Sequence, residues 1–349
     1  VWIMAYTTID KPTDYFNTIT WTGDATTKDI TGVGFQPDWV WAKKRSATGY
    51  HALADSVRGG TKNIFSNTND DEETSATDWI LSFASDGFGV NSGGNLNQSS
   101  ATYVAWNWLA GGTASSNTDG TITSSVSANT TAGFSIVTYS GNSTDGATVG
   151  HGLGATPGMI IVKGRDAVIN WQVYHHKNTS APETDYLELD TTDATADSAA
   201  RWNDTAPTSS VFTLGSQTGV NAGFDYVAYC FAEKKGYSKF GSYTGNGSTD
   251  GTFVYTGFKP AWVMVKRTDS TSDWLVCDNK RPGFNPIDDK LFPNTNQAED
   301  PYEAFDFVSN GFKITSSGTG HNASGANMIY MALAESPFVS SGGIPTTAR

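Results

Sequence analysis

The chain has 349 residues, of which 16% are charged, and it carries 11 Trp, 14 Tyr and 18 Phe. It is long for one hydrophobic core, too rich in aromatic residues for disorder, and well below the usual quarter of charged residues in a soluble protein. A net charge of −13 disfavours nucleic acid and anionic membranes as partners, no run of 18 apolar residues offers a membrane span, and two cysteines (Cys230, Cys277) are too few for a disulfide scaffold or a Cys-based zinc site.

The opening stretch VWIMAYTTIDKPTDYF lacks the basic start and apolar run of a signal peptide. Met4 reads as a second start, with Val1 to Ile3 as a remnant or upstream tail. From there the chain repeats itself three times. Each copy opens on an aromatic–Thr/Ser–Gly turn: Trp21-Thr22-Gly23, Tyr139-Ser140-Gly141 and Tyr243-Thr244-Gly245. About 15 residues later come Gly34-Phe35-Gln36-Pro37, Gly154-Ala155-Thr156-Pro157 and Gly257-Phe258-Lys259-Pro260. An apolar strand follows each proline, from Trp39 to Lys43, Met159 to Lys163 and Trp262 to Lys266. It is apolar on both faces, so it is expected in the interior of its sheet.

Eighteen residues after each proline a polar residue closes the next strand: Asp55, His175 and Asp278. A Phe-based turn follows at Phe88, Phe212 and Phe312, and each copy closes on Tyr-x-Ala at Tyr103, Tyr226 and Tyr330. From proline to closing tyrosine the spacing is 66, 69 and 70 residues. Short strands with turn chemistry every 8–12 residues, and no sustained helical period, predict an all-β chain of three tandem antiparallel β-sandwich repeats. The boundaries read 13–112, 133–236 and 237–338, with a Gly/Ser/Thr-rich linker at 113–132 and a tail at 339–349. Within the linker region a short strand is expected at Thr121 to Val126. Copies two and three abut at Glu233 to Ser238 and are expected to pack closely.

The residues that define the repeat are Pro37, Trp39, Lys43, Asp55, Arg58 and Tyr103, then Pro157, Lys163, His175 and Tyr226, then Pro260, Trp262, Lys266, Asp278, Arg281 and Tyr330. Asp55-x-x-Arg58-x-Gly60 and Asp278-x-x-Arg281-x-Gly283 read as Asx turns with a local ion pair, or as a ligand clamp; copy two has His175 and Asn178 there. The lysines, with Arg45, Arg165 and Arg267 close behind, are expected to reach water or to pair with the aspartate of the next strand, as Lys43–Asp55 and Lys266–Asp278. The Asp-Gly turns at Asp119, Asp145 and Asp250 are read as β-turns before calcium loops, because no EF-hand spacing is present. His51, His151, His175, His176 and His321 are scattered, and the adjacent pair points to opposite faces of a strand, against a shared metal. Gly150 to Gly154 precedes a strand, so its glycines do not make a phosphate loop.

The runs Tyr243-Thr244-Gly245-Asn246-Gly247-Ser248-Thr249-Asp250-Gly251 and Tyr255-Thr256-Gly257-Phe258-Lys259-Pro260 resemble a repeat domain of marine bacteriophage and cyanophage proteins. So do Ile329 to Phe338, Gly34 to Trp41 and Asp55 to Gly59. The resemblance covers nearly the whole chain and implies a lectin-like jelly roll and a virion structural role: tail fibre, head fibre or capsid decoration on the particle surface. Expected partners are other virion proteins, further copies of the chain and a host surface glycan, with no nucleic acid, membrane insertion or cofactor. Two alternatives are a carbohydrate-binding receptor protein and a polysaccharide depolymerase, the latter needing a carboxylate pair that the sequence does not single out. The expectation is therefore a non-enzymatic protein with no assigned ligand-binding residue.

Overall fold

The computed structural model describes residues 5–346. Met4, and the last three residues of the tail, lie outside the described residues. The chain is almost entirely antiparallel β-structure.

The first copy contains β1 (Phe16–Thr22), β2 (Lys28–Thr31), β3 (Trp39–Lys44), β4 (His51–Asp55), β5 (Lys62–Phe65), β6 (Glu73–Thr74), β7 (Ile80–Ala84), β8 (Gly87–Val90) and β9 (Thr102–Trp108). The second contains β10 (Ser115–Asn117), β11 (Ser124–Asn129), β12 (Phe134–Ser140), β13 (Ala147–Gly150), β14 (Met159–Gly164), β15 (Gln172–His175), β16 (Asp185–Glu188), β17 (Ala196–Asp197), the one-turn helix α1 (Ala199–Trp202), β18 (Val211–Leu214), α2 (Thr218–Asn221) and β19 (Asp225–Phe231). The third contains β20 (Ser238–Thr244), β21 (Phe253–Tyr255), β22 (Phe258–Arg267), β23 (Leu275–Asp278), β24 (Ile287–Lys290), β25 (Asp300–Val308), β26 (Gly311–Ile314), α3 (Thr319–Asn322) and β27 (Asn327–Pro337).

Each copy builds a main sheet with one shared order: β1-β9-β3-β4, β12-β19-β14-β15 and β20-β27-β22-β23. The closing strand thus lies between the opening strand and the Pro-led strand. A smaller sheet covers each: β2-β8-β7, β13-β18 and β21-β26-β25-β24. The landmarks have local causes. Gly34, Gly154 and Gly257, ahead of the prolines, all have positive φ, which β-carbon-bearing residues resist. Gly23, Gly141 and Gly245 sit where a Cβ would come within 2.1, 2.0 and 2.3 Å of a backbone oxygen. The aromatic residue two places before each of them anchors the same loop: Trp21 Nε1 donates to Leu96 O (3.1 Å), Tyr139 Oη to Val220 O (2.8 Å) and Tyr243 Oη to His321 O (2.6 Å).

The Pro-led strands are interior, and their two faces go to different cores. Val40 and Ala42, Ile160 and Val162, and Val263 and Val265 face the smaller sheet of their own copy. Trp39 and Trp41, Met159 and Ile161, and Trp262 and Met264 face a single core shared by all three copies. There Trp39 stacks on Tyr229 of the second copy (centroids 4.3 Å), and Trp108 meets Trp262 of the third edge-on (5.9 Å). Period-2 alternation explains why both faces are apolar: each main sheet is covered on one side by its own small sheet and on the other by its sister sheets.

Two expectations change here. The copies are not separate sandwiches that each enclose all of their own aromatic residues, because the largest core belongs to none of them alone. Residues 113–132 are not a linker: β10 and β11 extend the second main sheet beyond β12, and the strand expected at Thr121 to Val126 runs Ser124–Asn129. This segment pairs through its backbone and through buried serines. Ser124 Oγ donates to Gly150 O (2.9 Å) and Ser127 Oγ accepts from Gly111 N (3.0 Å), so a strand forms with little apolar signal. The tail folds back at Val339↔Pro345, and Ser341 N donates to Asp10 Oδ1 (2.6 Å), tying the two ends together.

Candidate functional site

The polar residues that define the repeat converge on the three seams between copies. Lys43, Lys163 and Lys266 are fully buried. Lys163 Nζ donates to Asn69 O of the first copy (3.0 Å) and Ile169 O (2.7 Å). Lys266 Nζ donates to Thr192 O of the second copy (3.0 Å) and Ser272 O (2.5 Å). Lys43 Nζ donates to Lys44 O (2.7 Å) and approaches Asn296 O of the third copy at 3.5 Å. Asn69, Thr192 and Asn296 stand at the same place in their repeats, two residues after Asn67, Asp190 and Asn294. Each copy therefore offers one loop to the next, and the third offers its loop to the first, which closes a heterologous ring. Main-chain bonds repeat the pattern: Ile169 N to Asn69 O (2.9 Å), Ser272 N to Thr192 O (2.8 Å) and Gly49 N to Asn296 O (2.9 Å). Burial lowers all three ammonium groups from 10.5 to about 8.

The expected Lys43–Asp55 and Lys266–Asp278 contacts are not made. Cross-strand register sets Lys43 opposite His51 and Asp55 opposite Trp39, at the other end of the pair. Trp262 likewise faces Asp278. Nor do the lysine heads reach water.

The aspartates instead anchor two buried networks. Asp55 Oδ1 accepts from Val57 N (3.1 Å) and Arg58 N (2.9 Å), forming the Asx turn, and Oδ2 accepts from Arg58 Nε (2.6 Å). Arg58 Nη1 donates to Glu72 (2.9 Å), which also accepts from Arg165 Nε of the second copy (2.9 Å), and Tyr229 Oη of that copy donates to Asp55 (2.8 Å). Burial opposes the charge on Glu72, but the two arginines outweigh it and hold the carboxyl below its ordinary range. Between the third and first copies the arrangement recurs. Arg281 Nε donates to Asp278 (2.7 Å), Arg281 Nη1 and Arg45 Nε to Glu299 (2.9 and 2.8 Å), and Trp106 Nε1 to Asp278 (2.9 Å).

The seam between the second and third copies is neutral at every corresponding position. His175 takes the place of the aspartate, with Nε2 3.1 Å from Tyr330 O, and Asn178 that of the arginine. Thr195 replaces the glutamate and donates to Asn178 Oδ1 (2.6 Å); its main chain donates to Thr268 O (2.9 Å), where the other seams have Arg45 and Arg165. Leu333 stands where Trp106 and Tyr229 do. Arg267 is one residue out of register and pairs with Asp269 at the surface (2.8 Å). Burial makes a partial network expensive, so the charged set is present whole or not at all.

The remaining predicted residues lie nearby. Pro37, Pro157 and Pro260 lead into β3, β14 and the bulged start of β22. Tyr103 Oη accepts from Gln98 N (2.9 Å), Tyr226 Oη donates to Thr218 O (2.6 Å), and the Tyr330 ring packs against Gly241. His176 Nε2 lies 2.8 Å from Phe240 O, so the two adjacent histidines meet different carbonyls. Burial lowers His175 to about 3 and His321 to about 4. Among the described residues no group of three or more His, Cys, Asp or Glu is placed to hold a metal.

The sequence reading did not single out the glutamates Glu72 and Glu299, or three buried asparagines. Asn97, Asn221 and Asn322 each accept from the backbone of the aromatic–Thr/Ser–Gly loop (3.3, 2.9 and 3.0 Å) and donate back into it. Equal spacing after Phe88, Phe212 and Phe312, to within one residue, is the signal that would have found them.

No curated protein and no solved structure matches the chain. One family, described as a domain of unknown function (DUF7483), matches residues 11–337, a span that takes in all three copies and every seam of the ring. The chain therefore belongs to the DUF7483 family.

Proposed function

We propose that this protein is a structural component of a bacteriophage particle, exposed on its surface as part of a fibre or a capsid decoration, in which each copy is a jelly-roll-like sandwich. One observation carries the structural reading: the polar residues common to the copies serve the seams between them. Lys43, Lys163 and Lys266 approach loop carbonyls of the neighbouring copy, and Asp55, Arg58 and Asp278 bond side chains of the neighbouring copy. Repetition has been used to build one body around a shared core. The phage setting rests on the resemblance of the Tyr243 to Pro260 and Gly34 to Trp41 runs. A closed block suits a unit that attaches to other virion proteins or to further copies of itself, and the net charge of −13 favours solubility outside the cell.

The test is location. Antibodies against the purified chain, used for immunogold labelling of purified particles, are expected to decorate the particle surface. Absence of the chain from particles, by labelling and by mass spectrometry of their proteins, would overturn the reading.

A further inference from the structure

At the outer end of the seam between the third and first copies lies a cleft of about 250 Å³. Thr48 and Tyr50 reach it from the loop between β3 and β4, Trp79 from the start of β7, Asn95 and Gln98 from the loop before β9, and Asn296 from the third copy. We propose that this cleft binds one neutral sugar ring at the end of a glycan.

Four observations point to that chemistry. The first is a fixed aromatic surface. Tyr50 is 43% exposed, yet its ring is braced by Phe65 (centroids 5.2 Å) and by Trp79 (5.9 Å, edge-on). An aromatic face held in this way suits the apolar C–H face of a pyranose and loses little entropy on binding. The second is the polar complement. The hydroxyls of Thr48 and Tyr50 and the amides of Asn95 and Asn296 have no side-chain hydrogen bond to another described residue, so donors and acceptors that match sugar hydroxyls are free. Trp79 is 5% exposed and belongs to the core of the first copy, where its ring braces Tyr50.

The third is charge. The one cation at the cleft, Lys44, is engaged by Gln98 Oε1 (2.5 Å), and no carboxylate lines it. With its ammonium already bonded to the Gln98 amide, Lys44 does not require an anionic partner, so an uncharged ring is compatible with this lining, and the anionic probes below test the alternative. The fourth is the backbone under Asn296, whose carbonyl accepts from Gly49 N (2.9 Å). The third copy thus presents its amide to the first on a fixed main chain, so the cleft exists only in the closed ring. Its volume lies below the span of roughly 300–1,000 Å³ typical of drug-sized ligands, which limits the occupant to about one ring.

The corresponding places in the other copies are lined differently, and the third copy keeps a cleft of about 210 Å³ with charged groups at its aromatic ring. In the third copy Asp273 replaces Tyr50, and Lys290 Nζ sits 4.4 Å over the Tyr302 ring, occupying the aromatic face. In the second, Asn170 replaces Tyr50 and is bound to Glu188 (2.7 Å). Repetition produced three such loci, and only the first keeps an open aromatic face beside free amides.

Saturation-transfer NMR on the full chain with a panel of methyl hexopyranosides tests this, with glucuronic acid observed in the same way and inorganic phosphate added as a competitor. A ring of about a dozen non-hydrogen atoms should bind with a dissociation constant of about a millimolar. The expected result is transfer to ring C–H protons of at least one neutral pyranoside. Tyr50→Ala should weaken it about tenfold or more and Asn95→Ala severalfold, while Tyr302→Ala should change it less than about twofold. Tyr50 and Asn95 are exposed, and unchanged melting curves of both variants check that they fold. No transfer from any neutral pyranoside, equal binding by Tyr50→Ala, or preference for the anions would each overturn the proposal. None of these results would move the chain on or off the particle, so this inference and the virion reading fail separately.

Discussion

Lys163 in the second copy donates its ammonium hydrogen to the main-chain oxygen of Asn69 in the first, 94 residues earlier, at 3.0 Å. Lys43 and Lys266 approach the corresponding carbonyls of the other neighbours, so one relationship, made three times, closes the molecule.

Replacing that lysine should loosen a seam. Lys163→Met removes the donor to Ile169 O and one of two donors to Asn69 O, and should cost about 1–3 kcal/mol, the usual range for a buried polar group left unsatisfied. The lysine is held at about 8, against 10.5 when free. Between those values the unfolded chain binds a proton that the folded chain does not, so each such lysine makes folding more favourable as pH rises through this window. The substitution should therefore cost more at pH 10 than at pH 7. Urea unfolding at the two pH values measures both effects.

The two charged seams should respond worse to partial than to complete replacement. Arg58→Asn leaves Asp55 buried without its counter-ion and should cost about 3–5 kcal/mol. Installing the whole neutral set of the third seam, as Asp55→His, Arg58→Asn, Glu72→Thr, Arg165→Thr and Tyr229→Leu together, should cost less than Arg58→Asn alone. Chemical denaturation of the single and fivefold variants decides this. A fivefold variant less stable than the single one would show that the seams tolerate incomplete networks.

The shared core predicts one cooperative unit. Calorimetry of the intact chain should show a single unfolding transition, with the van't Hoff enthalpy equal to the calorimetric one. The second copy alone, residues 133–236, would present Met159, Ile161, Trp171, Tyr229 and Phe231 to water. It should be unfolded or associated by circular dichroism and gel filtration. Three separable transitions, or a folded monomeric fragment, would mean that the copies are independent after all.

Acid should destabilise the fold well above the range of ordinary carboxylates. Burial holds His175 at about 3 and His321 at about 4, and His51 well below its ordinary 6.5. As pH falls from 6.5 toward 4, the unfolded chain gains protons that these rings refuse in the folded state. Stability should drop by about 1.4 kcal/mol per pH unit for each fully excluded proton. Asp190, raised to about 7 by burial, and Asp289, also raised by burial, act in the opposite sense in this window, but they are two groups against five, because burial lowers His151 and His176 as well. Melting temperatures between pH 7 and pH 4 measure the net slope, and His175→Gln should flatten it.

The lysines and the Asp-x-x-Arg pairs show how far the sequence could be read. Their recurrence at fixed distances from the prolines was plain, and so was the Asx turn at Asp55, because its partners lie within three residues. Their other partners were not. Glu72 lies 14 residues from Arg58, Tyr229 lies 171 residues away, and nothing local joins the three. The strand expected at Thr121 to Val126 runs three residues later, at Ser124–Asn129, and its segment read as a linker, for a related reason. Its stability comes from pairing with β12 and from buried serine hydroxyls, neither of which leaves an apolar alternation.

What the sequence determined by itself was the unit and its copying. Glycines at positive φ, prolines, alternating apolar side chains and equal spacings are local, and they specify strands and turns wherever they occur. Only the tertiary structure decided that the units form a ring and which charges are buried in it. Three copies of one pattern carry the same surfaces, and which surface meets which depends on packing between residues about a hundred or more positions apart.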